Sequence, residues 1–167
     1  MQKISRIASG APWEPIFGYS RAVRAGDWVV VSGTTSLDER GLVVGPGQMY
    51  VQARQAIGNI VAALERSGAR LADVVRTRVF VTDITRFGEV ARAHQERFGA
   101  SPPASTAVEV RRLVHPDMLV EIEADAYVPL AESAVNAQPA ELGAVAAKTK
   151  ASRKPSRAIK SRPRKRR

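Results

Sequence analysis

The chain has 167 residues, no cysteine and a formal net charge of +10. Its length is typical of one domain, and the lack of cysteine excludes disulfides, thiolate catalysis and thiolate metal ligands and is consistent with a cytoplasmic protein. The longest apolar run, residues 60–64, falls far short of the roughly 20 residues that cross a bilayer. No secretory signal is recognisable near the first residues, so neither a membrane partner nor export is expected.

The positive charge is concentrated at one end of the chain. Residues 144–167 hold eleven of the 26 Lys and Arg residues and no acidic residue, whereas residues 1–143 are almost neutral. Residues 131–167 are rich in Ala, Pro, Ser and basic residues and contain no aromatic residue. Such a segment cannot bury enough apolar surface to offset its ordering entropy. We therefore predict a folded domain over residues 1–130 and a disordered basic tail over residues 131–167.

The first half of the folded domain carries strand patterns followed by a helix pattern. Residues 3–8, 19–23 and 28–32 are predicted strands, and a loop rich in Gly and Pro separates the first two. Apolar residues from Ala53 to Leu64 recur with the period of one helix face. Gly68 lies where the C-terminal cap of that helix is expected.

The second half repeats this alternation. Residues 74–82 form a predicted strand, and Thr85 is the expected cap of a second helix with Phe87, His94 and Phe98 on its inner face. Strands are then predicted over residues 105–112 and 118–127, joined by a turn at residues 115–117. The two histidines lie on separate elements without metal-ligand spacing, so no metal site is predicted.

Residue alternation in the last strands divides the sheet into two unlike faces. Val120 and Ile122 point to one side, and Glu121 and Glu123 point to the other. The same reasoning assigns residues 75, 79 and 81, and residues 106, 108 and 110, to the apolar face. The prediction is an α/β (α+β) domain whose mixed sheet is covered on one face by two helices. From the pattern alone, the charged face is better explained as solvent-exposed than as a subunit interface.

Several short motifs together resemble the RidA (YjgF) family of reactive-intermediate deaminases, in the family's order and over nearly all of residues 1–128. The motifs are Gly18-Tyr19-Ser20-Arg21-Ala22-Val23, Val31-Ser32-Gly33, residues 52–60, Val81-Thr82-Asp83, Pro103-Ala104, Val108-Glu109-Val110 and Val120-Glu121-Ile122-Glu123-Ala124.

The resemblance implies a chorismate-mutase-like fold and a homotrimer with a central barrel and ligand clefts between subunits. An interface then becomes the better interpretation of the charged face. The implied activity is hydrolysis of reactive enamines and imines released by pyridoxal-phosphate enzymes, without a metal or organic cofactor.

The resemblance also assigns candidate site residues. Glu121 matches the glutamate that activates water, Tyr19 matches a tyrosine lining the cleft, and Ser32 and Gly33 match the strand end beside it. Ser105 stands where deaminating members carry the arginine that binds the substrate carboxylate. A hydroxyl in place of a guanidinium weakens carboxylate binding by roughly 10- to 150-fold. The substrate is then uncharged at that point, held by another arginine, or not an imine.

Trp13 and Glu14, in the loop before Tyr19, are further candidates. Trp13 either covers an apolar ligand or closes the edge of the core, and Glu14 is placed to reach the mouth of the pocket. The asparagine common in the family's second helix is replaced by Ala91.

Two classes of function stay open. The first is an enzyme that hydrolyses a small imine or enamine, with Glu121 as the acid and base. The second is a non-catalytic trimer that binds a small molecule and contacts nucleic acid nonspecifically through the tail, which basic residues favour through counterion release. A ribonuclease, an activity described for some family members, is a third option. The densest basic cluster of the tail comprises Arg162, Arg164, Lys165, Arg166 and Arg167.

Overall fold

The computed structural model describes residues 4–129. The predicted boundary at residue 130, the disorder of the tail and its basic cluster lie outside the described residues. Within them the chain forms six strands and three α-helices. In chain order these are β1 (Ile4–Ile7), α1 (Trp13–Phe17), β2 (Ala22–Ala25), β3 (Trp28–Thr34), α2 (Met49–Arg66), β4 (Val74–Val81), α3 (Phe87–Phe98), β5 (Ala104–Glu109) and β6 (Val120–Tyr127).

The described strands form one mixed sheet in the order β1-β2-β3-β6-β4-β5. Only β4 and β5 run parallel; the other neighbours are antiparallel. Helices α2 and α3 pack against each other, and their buried side chains share a core with the apolar residues of the sheet. The prediction of an α+β fold with two helices on one face of a mixed sheet is confirmed.

Helix α2 has the apolar period expected from the sequence, with Met49, Ala53, Ile57 and Ile60 fully buried. Its C-terminal end closes at Gly68, which has a φ of +73°. The amide of Gly68 donates to Glu65 and that of Ala69 to Leu64, the two hydrogen bonds of a Schellman motif. The predicted end of this helix is therefore close to the observed one.

The start of helix α3 differs from the prediction. Thr85 is not the cap; instead the Asp83 carboxylate accepts the Thr85 amide at 3.0 Å and caps a 3₁₀ turn over Ile84–Arg86. Helix α3 begins only at Phe87, whose side chain is exposed rather than on the inner face. A carboxylate is as good a cap as a hydroxyl, and the sequence offers both within three residues.

The predicted face assignments are wrong at Val75, Thr106 and Val108. A register shift between Val74 and Arg76 inserts an extra residue, so Val74 is buried and Val75 is 42% exposed. In β5, Val108 pairs with Phe80 and Thr106 with Arg78, which puts both on the face without helices. Parallel pairing with β4 decides this orientation, and an edge strand has no second neighbour to impose another.

The face without helices, which we call the open face, combines ion pairs with exposed apolar side chains. Arg78 contacts Glu123 at 3.3 Å and Asp125 at 3.1 Å. Trp28 and Tyr127 are 48% and 42% exposed there, with ring centroids 5.3 Å apart. The open face is therefore not the purely polar surface that a solvated sheet presents.

Candidate functional site

The site is built around the Glu121 side chain, which projects from β6 across the bulge in β3. The register of these strands shifts between Val31 and Thr34, and this irregularity brings Gly33 under the carboxylate. A Cβ on Gly33 would overlap Glu121 Oε1 and lie 2.9 Å from Cδ. The two residues that the sequence assigned to the cleft therefore meet, and a side chain at position 33 would displace the Glu121 carboxylate.

Glu121 has an unusual electrostatic environment. Burial raises its pKa, the neighbouring Glu123 carboxylate raises it further, and the positive charge of Arg21 opposes both effects. A carboxyl that is half-buried, with its pKa raised, keeps its proton to higher pH than an exposed glutamate. Such a group can serve both as a proton donor and as a proton acceptor.

Arg21 is a site residue that the sequence analysis did not single out. Its Nη1 donates to the Gly33 carbonyl at 2.7 Å and to Thr34 Oγ1 at 3.0 Å, and its Nη2 donates to the Tyr19 hydroxyl at 2.7 Å. The guanidinium also lies over the Tyr19 ring, 5.2 Å from its centroid. These contacts join the predicted residues Tyr19 and Gly33 around a cation.

Ser32 holds the backbone of the same part of the site, which we call the Glu121 corner and which comprises Tyr19, Arg21, Ser32, Gly33 and Glu121. Its hydroxyl donates to the Ser20 carbonyl at 2.8 Å, and its amide donates to the Arg21 carbonyl at 3.0 Å. Ser32 therefore fixes the segment that carries Tyr19 and Arg21. Tyr19, Ser32, Gly33 and Glu121, predicted as a group, do lie together in one protomer.

Ser105 does not join them. It lies on the helix-side face of β5, the edge strand, where Thr77 is its neighbour in the sheet. Thr77 Oγ1 donates to Ser105 Oγ at 2.9 Å and lies 3.0 Å from His94 Nε2. The exposed serine is thus hydrogen-bonded through a buried threonine to a half-buried histidine, whose pKa burial lowers.

Helix α1 places Trp13 and Glu14 differently from each other. Glu14 does not reach a pocket mouth, because its carboxylate accepts the Ser9 hydroxyl at 2.6 Å and the Ser9 amide at 2.8 Å. Burial favours a higher pKa for Glu14, but these bonds, a bond from Gly10 and the Arg21 charge outweigh it and lower the pKa. Trp13 is 48% exposed, and its place in a ligand site stays a prediction.

A groove of about 1170 Å³ lies beside this corner, between the loops and helix α2. Its walls include Ser9, Arg21, Thr34, Asn59 and Arg66, but not Glu121, Tyr19 or Gly33. Arg21 is thus shared between the groove and the Glu121 corner. Among residues 4–129, no group of three or more acidic or histidine side chains is arranged to hold a metal ion.

Comparison with known proteins identifies the relationship. The family model described as Endoribonuclease L-PSP matches residues 9–128. The chain belongs to this family, which is that of the RidA and YjgF proteins. The family expectation from the sequence motifs is therefore confirmed.

Individual relatives match about two thirds to three quarters of the chain. A RutC family protein of Pyrococcus horikoshii is 40% identical over 114 residues, 68% of this chain and 90% of that protein. The 2-iminobutanoate/2-iminopropanoate deaminase of Escherichia coli is 35% identical over 109 residues, 64% of this chain and 84% of the enzyme. A crystal structure of a YjgF/YER057c/UK114 family member from Mycobacterium tuberculosis superposes with a TM-score of 0.70 and 48% identity, over 75% of this chain and all of that one.

None of the described helices of this RidA-family chain is both long enough and apolar enough to cross a membrane. The arrangement at Glu121 can move protons, and the adjacent guanidinium can attract an anion.

Proposed function

We propose that this RidA-family protein hydrolyses the C=N bond of a small imine, or of an enamine after tautomerisation, with Glu121 as general acid and base. The observation that carries this proposal is the half-buried Glu121 carboxyl held over Gly33, with a raised pKa. The 35% identity to an imine deaminase supports the same reaction class.

The reaction is balanced with one water and no cofactor. Protonated Glu121 gives its proton to the imine nitrogen, and the carboxylate then accepts a proton from the water that adds to the imine carbon. Glu121 returns this proton to the nitrogen of the carbinolamine. Ammonia leaves as the Glu121 carboxylate takes the hydroxyl proton and the C=O bond forms, which regenerates protonated Glu121 and gives ketone and ammonia from imine and water.

The test uses imines generated in the assay by an amino-acid oxidase and measures their disappearance above the spontaneous rate. Glu121→Gln should lower kcat/KM by about 10²- to 10⁴-fold, the usual contribution of a general acid–base group. Glu123→Gln is the matched control, since Glu123 lies on the same face of β6 and is paired with Arg78. Equal losses in both variants, or no acceleration by the unmodified protein, would refute the proposal.

We further propose that the open face is the interface of a homotrimer. Trp28, Val30, Val108 and Tyr127 are each more than 40% exposed on this face, which is unusual for a surface that stays in water. The Arg78 pairs with Glu123 and Asp125 supply the charged contacts that suit a buried polar interface. Ser105 lies on the opposite face of the edge strand β5, so it would meet the Glu121 corner of the next subunit only around that edge.

A second candidate is a non-catalytic binder whose tail contacts nucleic acid. Two sequence features favour it: Ser105 in the position of the carboxylate-binding arginine, and eleven basic residues without an acid over residues 144–167. The binding would be nonspecific and dependent on salt, because it rests on phosphate contacts.

A further inference from the structure

We propose that Arg21 is the group of this site that binds a ligand carboxylate. The proposal rests on the proposed function and names the residue that would hold its substrate. Ser105 stands where deaminating members of the family carry an arginine, and this proposal assigns the role of that arginine to Arg21.

The first reason is that Arg21 has no carboxylate partner. Among residues 4–129 no ion pair within 4.0 Å involves Arg21. Glu14 is within electrostatic reach, but its oxygens are occupied by Ser9 and Gly10. A half-buried guanidinium without a paired anion has lost part of its hydration without compensation, and a ligand carboxylate would offset this desolvation penalty.

The second reason is that the guanidinium is already held in place and still has donors to offer. Nη1 is bound to Gly33 and Thr34, and one Nη2 hydrogen is bound to Tyr19. Within residues 4–129, Nε and the other Nη2 hydrogen have no acceptor. These two nitrogens lie on the same side of the guanidinium, where they can donate to a ligand carboxylate.

The third reason is the neighbouring acid. Arg21 acts on the pKa of Glu121, so a carboxylate bound to Arg21 neutralises the charge that lowers that pKa. Anion binding therefore favours the protonated form of Glu121, the form that can donate to an imine nitrogen. Arg78, an arginine of the open face, is committed to Glu123 and Asp125.

The test compares binding of 2-oxobutanoate with that of its neutral amide, measured by calorimetric titration of the full-length protein. Arg21→Gln should weaken carboxylate binding by about 10- to 150-fold and change amide binding by less than about threefold. Arg21→Lys should give an intermediate loss, since lysine keeps the positive charge but lacks the planar set of N–H donors of a guanidinium. The control is Arg70→Gln, which removes the same charge from an exposed residue and should leave both affinities unchanged.

The outcomes separate this inference from the proposed function. Glu121→Gln should lower hydrolysis by about 10²- to 10⁴-fold but keep carboxylate binding. If the unmodified protein hydrolyses no imine yet binds 2-oxobutanoate through Arg21, the catalytic proposal fails and this one stands. If the protein does not bind 2-oxobutanoate, or if Arg21→Gln weakens acid and amide equally, Arg21 is only a structural residue and the inference is overturned.

Discussion

Gly33 and Glu121 approach each other so closely that a Cβ at position 33 would overlap the Glu121 carboxylate and displace it. The backbone of one strand thus sets the position of the acid on another. The Gly33 carbonyl also accepts from Arg21, so the same residue orients both charged groups of the site.

Gly33→Ala should therefore reduce imine hydrolysis at least tenfold while leaving the fold intact, because the methyl group displaces the Glu121 carboxylate. Hydrolysis rates and thermal unfolding are to be measured together. The control is Gly58→Ala within helix α2, where a Cβ would meet nothing within 4 Å. That change should stabilise the protein by about 0.5–1 kcal/mol, with activity unchanged. Full activity of Gly33→Ala would show that the carboxylate position is not critical.

The raised pKa of Glu121 predicts a pH dependence of stability. The folded protein disfavours the ionised carboxyl, so the stability that Glu121 contributes is complete below its unfolded pKa, near 4.5. It is lost as the pH rises through the raised pKa. Relative to the unmodified protein, Glu121→Gln should therefore gain stability between about pH 4 and about pH 8. Chemical denaturation at both pH values checks this, and a constant difference would contradict it.

The Ser105 position offers a test of the shared cleft. If Ser105 of one subunit faces the Glu121 corner of another, Ser105→Arg should restore carboxylate binding to the Arg21→Gln variant, because the new guanidinium replaces the missing one. Titration with 2-oxobutanoate measures the rescue. Failure of the double variant to bind, with its oligomeric mass unchanged, would mean that the two positions do not share a cleft.

The open face predicts the assembly. Light scattering on the full-length protein should give about three times the protomer mass, and Val108→Glu should produce smaller species, because it inserts an unpaired charge into the proposed interface. Leu42→Glu is the control, since Leu42 is also exposed but lies in the loop between β3 and α2 and not on a strand of the open face. A monomeric unmodified protein would rule out both the interface and the shared cleft.

The basic tail predicts salt-dependent binding of nucleic acid. Replacing Arg162, Arg164, Lys165, Arg166 and Arg167 with glutamine should weaken binding to random-sequence duplex DNA. It should also lower the slope of log affinity on log salt by about 0.9 for each phosphate that the tail no longer neutralises. Fluorescence anisotropy at several salt concentrations measures both. Identical slopes for the two proteins would leave the tail without a role in binding.

The sequence alone was sufficient for the local elements and the family. Helix α2 followed from apolar periodicity and a glycine beyond its end, because both express local backbone geometry that does not depend on distant residues. The ordered motifs led to the family, and with it to the grouping of Tyr19, Ser32, Gly33 and Glu121.

Only the tertiary structure decided which side chains meet. The bulge at Val75 and the parallel register that turns Val108 to the open face depend on hydrogen bonding between strands, for which strand periodicity has no signal. The contact of Arg21 with Gly33 and the chain from Ser105 to His94 join residues far apart in sequence. The sequence thus determined which chemical groups are present, and pairing across the sheet determined which of them can act together.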